Sequence, residues 1–173
     1  DKANEHSAFE VQFFLPEAYD IACGLFKKED HLLCAANFDE LADSPLIASA
    51  SMKHLTYEVD HITYHIWIQG DVKLDEGRLV KEFKAFSESQ VHLFGDIPCG
   101  EYHFLFHFTP SFVRHGVEHH NSTVIAMGPA SEFQQEHLFK DLLGISCHEL
   151  FHTWNIKNIR PIEMMPYRSE EHT

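Results

Sequence analysis

The chain has 173 residues, 44% hydrophobic and 23% charged, a balance that excludes a disordered, collagen-like or coiled-coil protein and leaves a folded globular one. Thirteen Lys and Arg stand against 27 Asp and Glu, and the resulting net charge of −14 repels a phosphate backbone, so nucleic acid is excluded as a partner. The unusual feature is 15 His, a residue that binds transition metals and titrates near neutrality.

Residues 8–15, Ala-Phe-Glu-Val-Gln-Phe-Phe-Leu, read as a strand ended by Pro16, and 31–37 as a second short one. Leu41-Ala42-Asp43-Ser44-Pro45 reads as a connector, because Asp and Ser bond their own backbone and Pro45 forces its predecessor out of helix. A boundary is expected there, with residues 1–45 forming the end of a β-rich domain. From His61 the alternation is clean: Ile62, Tyr64, Ile66 and Ile68 fall on one side, Thr63, His65 and Trp67 on the other, up to Gly70. Residues 77–94 switch to helical spacing, with Leu79, Phe83, Phe86 and Leu93 on one stripe and Gly95 just past the end.

Tyr102, Phe104, Phe106 and Phe108 alternate with His103, Leu105 and His107, which predicts a strand with an inward aromatic face, stopped by Pro110. His103 and His107 on its other face read as a solvated or hydrogen-bonded pair rather than metal ligands. Residues 122–127 read as another strand. Ser131 with Gln134 reads as a capping box opening a helix that runs to Asn155, with a break expected at Gly144. No apolar run approaches the ~20 residues of a membrane helix, and Cys23, Cys34, Cys99 and Cys147 show no C-x-x-C spacing. Compartment and oligomeric state have no signature in these residues.

His148-Glu149-Leu150-Phe151-His152 reads H-E-x-x-H. On a helix, positions i and i+4 project from one face, so His148 and His152 present two imidazoles to one tetrahedral zinc. Glu149 lies within reach of water at that metal and is the candidate general base. Chance alone supplies about 0.1 such pentapeptides in a chain this rich in His and Glu. Its surroundings add weight: Leu142, Leu143, Ile145, Leu150 and Phe151 supply the apolar surface of a buried helix.

The longer stretch Cys147-His148-Glu149-Leu150-Phe151-His152-Thr153-Trp154-Asn155-Ile156-Lys157, followed by Ile159-Arg160-Pro161, closely resembles the H-E-x-x-H-T-W-N-x-K-x-x-R-P signature of the glycyl aminopeptidase family of zinc metallopeptidases. Leu41 to Pro45 resembles that family's L-x-D-S-P connector, and Gly116-Val117-Glu118-His119-His120-Asn121-Ser122-Thr123 its G-L-E-H-x-x-S-T segment. The resemblance implies an α+β architecture: the end of a β-rich N-terminal domain, then residues 46–173 as the N-terminal part of a thermolysin-like, gluzincin-type catalytic domain with a mixed sheet and the H-E-x-x-H helix. It implies Zn2+ on His148 and His152, Glu149 as base, and Glu118 holding the free ammonium of a peptide substrate, with Gly116 allowing close backbone approach. Relatives remove small N-terminal residues, notably Gly and Ala.

The family's third zinc ligand, a Glu on a later helix, is expected beyond Thr173. Glu171 has the spacing used by a neighbouring aminopeptidase family, but Ser169-Glu170-Glu171-His172 lacks an apolar stripe and reads as a solvated tail. Glu163, Glu170 and His172 are weaker substitutes. His119 and His120 are adjacent, so on a strand they point to opposite sides and do not chelate one ion. Cys147 reads as a small packing residue rather than a nucleophile. Two other readings stay open at this point: a zinc endopeptidase in which Glu118 is structural, and a peptide-binding module without catalysis.

Overall fold

The structure, a computed structural model, describes residues 7–95, 97 and 99–155. It opens with five short strands and one helical turn: β1 (Phe9–Gln12), β2 (Asp20–Cys23), β3 (Phe26–Glu29), β4 (Leu32–Ala35), α1 (Phe38–Ala42) and β5 (Leu46–Ser49). β1, β4 and β3 form an antiparallel three-stranded sheet, and β2 pairs antiparallel with β5. Cys23, Leu25, Leu33 and Ala35 make a small core beneath them. The connector read at 41–45 is half helix: the Asn37 side chain accepts the Glu40 N–H at 2.9 Å, the turn it caps runs through Ala42, and Asp43 closes it.

A larger mixed sheet follows, built from β6 (Lys53–Val59), β7 (Ile62–Gln69), β8 (Glu101–Phe108), β9 (Val113–Glu118) and β10 (Ser122–Gly128) in the order β6-β7-β8-β10-β9. β7 with β8 and β8 with β10 are parallel; the outer pairs are antiparallel. Parallel neighbours need a long crossover. Between β7 and β8 it is α2 (Glu76–Phe94), whose first turn is capped by Asp75 accepting the Arg78 N–H and which ends on Gly95 at φ 87. The fold is therefore α+β, a β-rich N-terminal region followed by a mixed sheet carrying helices.

The alternation read from the sequence sets the inward faces. Ile62, Tyr64, Ile66 and Ile68 of β7 and Tyr102, Phe104, Phe106 and Phe108 of β8 are buried against α2 and the later helix α3 (Glu136–Phe151). Phe83 of α2 lies edge-on to Phe104 with centroids 4.9 Å apart. Leu93 leaves the expected stripe: it is 73% exposed, while Leu79 and Phe83 are fully buried. The opening of α3 also differs from expectation. Pro129 leads a 3-10 turn, Ala130–Glu132, so Ser131 sits inside that turn rather than at a cap, and the helix starts at Glu136. It then runs through Gly144 without a break.

On the sheet's other face the histidines pair within the fold. Trp67 Nε1 donates to His103 Nδ1 at 3.1 Å, His107 bonds Gln69, and His54 Nε2 lies 2.9 Å from His65 Nδ1. Burial holds the His65 imidazole down at about 4, His103 adding to the effect while Glu101 opposes it. Among the described residues no helix is long and apolar enough to cross a membrane.

Candidate metal centre

α3 is placed by its apolar face and by two ties to α2. Leu138, Phe139, Leu142 and Leu150 are buried against the sheet. At its start, Arg78 Nη1 and Nη2 each donate to a Glu136 carboxylate oxygen at 2.8 Å, a bidentate pair, while the guanidinium lies over the Phe139 ring at 4.1 Å. At its end, Gln90 Nε2 donates to the Cys147 carbonyl at 2.8 Å and contacts its Sγ at 3.1 Å, fixing the backbone just before the first histidine. Cys147 is thus a partly buried packing and hydrogen-bonding residue. Phe94 packs on Phe151 and Trp154 on the following turn.

His148 occupies the last turn of α3 and His152 is its C-cap, still helical at φ −62, ψ −18. The four-residue spacing therefore puts both rings on one face, with Nε2 to Nε2 3.1 Å. Two nitrogens at about 2.0–2.1 Å from one tetrahedral zinc stand roughly 3.3–3.4 Å apart. At 3.1 Å the pair stands within about 0.3 Å of that separation, so the residues present fit the ion. His148 is exposed while His152 is buried, so the site opens to one side.

β9 delivers the rest. Its last residue, Glu118, is 6% exposed, and one ligand-type atom from each of Glu118, Glu149 and His152 lies within 4.8 Å of the others. Gly116, two residues earlier on the strand, faces Glu149: a Cβ built there falls 2.3 Å from Glu149 Oε1. That glycine is required by space rather than by backbone angle, since its φ is not in the left-handed region. Tyr102, directly beneath, directs its hydroxyl at the Glu149 carbonyl at 3.5 Å. Burial pushes its phenol well above the ordinary value, the Thr153 hydroxyl bond pulling the other way, so it stays protonated and donates.

All five residues singled out from the sequence, Gly116, Glu118, His148, Glu149 and His152, thus meet at the junction of β9 with the end of α3. Gln90 and Tyr102 were missed. Tyr102 read only as one more inward aromatic, and nothing in the spacing of Gln90 points to Cys147. Glu163, Glu170, Glu171, His172 and the signature's Ile156 to Pro161 lie outside the described residues.

A family model described as M61 glycyl aminopeptidase matches residues 141–173, and one described as the peptidase M61 N-terminal domain matches residues 2–50. Both ends of the chain match the M61 family. The glycyl aminopeptidase resemblance read from the signature therefore holds. No curated protein matches the sequence. Among solved structures, an aminopeptidase N family protein from Idiomarina loihiensis superposes with a TM-score of 0.84 at 24% identity, covering 98% of this chain and 31% of that one. An M1 zinc metallopeptidase from Deinococcus radiodurans gives a TM-score of 0.50 at 15% identity, covering 80% of this chain and 32% of the other. These likenesses establish the fold. The chain spans about a third of the length of the solved structures it resembles.

Proposed function

We propose that these residues form the amine-binding and metal-binding part of a zinc-dependent aminopeptidase that removes small N-terminal residues such as Gly and Ala from peptides. The observation that carries this reading is the 3.1 Å separation of the two Nε2 atoms, with the Glu149 and Glu118 carboxylates beside His152. His148 and His152 hold the ion. When bound, it supplies Lewis-acid polarisation of a carbonyl and makes water more acidic. Glu149 takes the proton of the attacking water and returns it to the leaving amine. Glu118 pairs with the substrate's free ammonium, which an internal peptide bond lacks, and so sets the register to one residue from the end. The M61 model matches at both ends of the chain support the peptidase class.

The same proposal assigns the third zinc ligand to a Glu on a helix later than α3. It also divides the chain into a β-rich domain ending near residue 45 and a catalytic domain from 46 onward; β5, pairing back to β2, lies on that seam. In the complete protein, Gly- and Ala-anilides should be hydrolysed and their N-acetylated forms should not. Equal turnover of both forms refutes the aminopeptidase reading in favour of an endopeptidase. Zinc binding without hydrolysis of any amide refutes both and leaves a peptide-binding module.

A further inference from the structure

Glu118 ends β9, and the turn His119 to Asn121 that follows it is held from two directions. Inside the sheet, the His119 N–H donates to the Ser122 carbonyl at 2.8 Å and the His103 N–H to the Asn121 carbonyl at 3.0 Å. From outside, the β-rich region reaches across. Asp43 Oδ1 lies 3.0 Å from His119 Nδ1, and Asp43 Oδ2 accepts the His120 N–H at 2.9 Å. The Gly24 carbonyl accepts Asn121 Nδ2 at 2.8 Å, at so close an approach that a Cβ on Gly24 would fall 2.3 Å from Asn121 Oδ1. Asp43 is itself fixed, its N–H bonded to the Asp39 carbonyl at 2.9 Å and its neighbour Ser44 Oγ to the Glu40 carbonyl at 2.6 Å.

We propose that Asp43 is a positioning residue for Glu118, so that the β-rich region sets the orientation of the carboxylate that receives the substrate's amino group. Successive side chains on a strand point to opposite faces. Glu118 points into the site and His119 away from it, so gripping His119 and the next N–H fixes how far the end of β9 is rotated about its own axis. A carboxylate using both oxygens fixes direction as well as distance. Asp43 is 36% exposed, and a single ion pair at that exposure contributes little to global stability. The consequence of the contact is therefore geometric, and it gives the Asp of the Leu41 to Pro45 connector a role that a plain linker does not need.

The inference rests on the reading of Glu118 as the amine anchor, and the experiment separates the two. In the complete zinc-loaded protein, affinities are measured for glycine hydroxamate and acetohydroxamate, which differ only by the amino group; their ratio reports the amine contact. Glu118→Gln should collapse the ratio. Asp43→Ala should lower it about ten-fold, the loss expected when a charge-assisted hydrogen bond is weakened rather than deleted, with acetohydroxamate affinity, zinc content and melting temperature near those of the parent. Asp43→Asn, isosteric and retaining one acceptor oxygen, should lower it less, and His119→Ala should shift it the same way; these two carry the test if Asp43→Ala does not fold. An unchanged ratio in the Asp43 variants while Glu118→Gln collapses it overturns the inference alone. An equal loss of both ligands assigns Asp43 a merely structural role and also overturns it. An unchanged ratio in Glu118→Gln removes the amine anchor and the inference with it.

Discussion

Gly116→Ala isolates the contact between β9 and the candidate base. The added Cβ would lie 2.3 Å from Glu149 Oε1, 2.6 Å from Cδ and 2.8 Å from Cγ, whereas ordinary contact begins at 3.4 Å. Three atoms of one side chain are too close, and Glu149 is buried, so the side chain must retreat by about 1 Å. A misplacement of that size at a reacting group costs about 100-fold in rate, or about 2.7 kcal/mol of transition-state stabilisation. The strand itself tolerates the change, since alanine in a strand interior costs less backbone entropy than glycine. In the complete protein, kcat on a Gly-anilide should therefore fall about 100-fold while zinc content holds and melting temperature moves little. Activity within two-fold of the parent, in a variant that retains its zinc, would refute the placement of Glu149 as the base.

Three further outcomes follow from the geometry. His152→Ala removes the buried member of the imidazole pair and should lower zinc affinity by at least ten-fold, read by competition with a chromogenic chelator; His152→Gln should not restore it. Phe83→Ala, at a fully buried position against Phe86 and Phe104, should destabilise the fold by about 3–5 kcal/mol in urea unfolding. His65, held neutral at about 4 against an ordinary 6.5, binds its proton more readily when unfolded. Its contribution is complete above 6.5 and is lost as pH falls towards 4; His65→Leu should flatten the pH dependence of unfolding across that window, and an identical slope would place His65 in solvent.

What the sequence made legible is what repeats. β7 and β8 announce themselves by alternation because one face of each is buried, and α2 by a 3.6-residue stripe between Asp75 and Gly95. The H-E-x-x-H spacing by itself puts both imidazoles on one helix face. The four-residue strands β2, β3 and β5 are too short for a period to register. β9 is an edge strand of Val-Arg-His-Gly-Val-Glu, too polar to read as one, yet it carries Gly116 and Glu118. Only the family resemblance singled that segment out. The Ser131 capping box failed because Pro129 had already begun a tighter turn. The contact between Asp43 and His119 has no local signal at all, since it joins positions 76 residues apart.

The end of α3 has one further consequence. Up to Phe151 the backbone winds as an α-helix, but the next three N–H groups turn to carbonyls three residues back: His152 to Glu149, Thr153 to Leu150 and Trp154 to Phe151. An α-helix advances about 100° per residue and a 3-10 helix about 120°. The winding changes at the second imidazole, so the bite of the chelate depends on where the coil tightens. Were that transition one residue earlier, the rings would splay by about 20°. Substitutions at Phe151 or Thr153 that shift the transition should therefore retune the grip on the ion without replacing any donor atom.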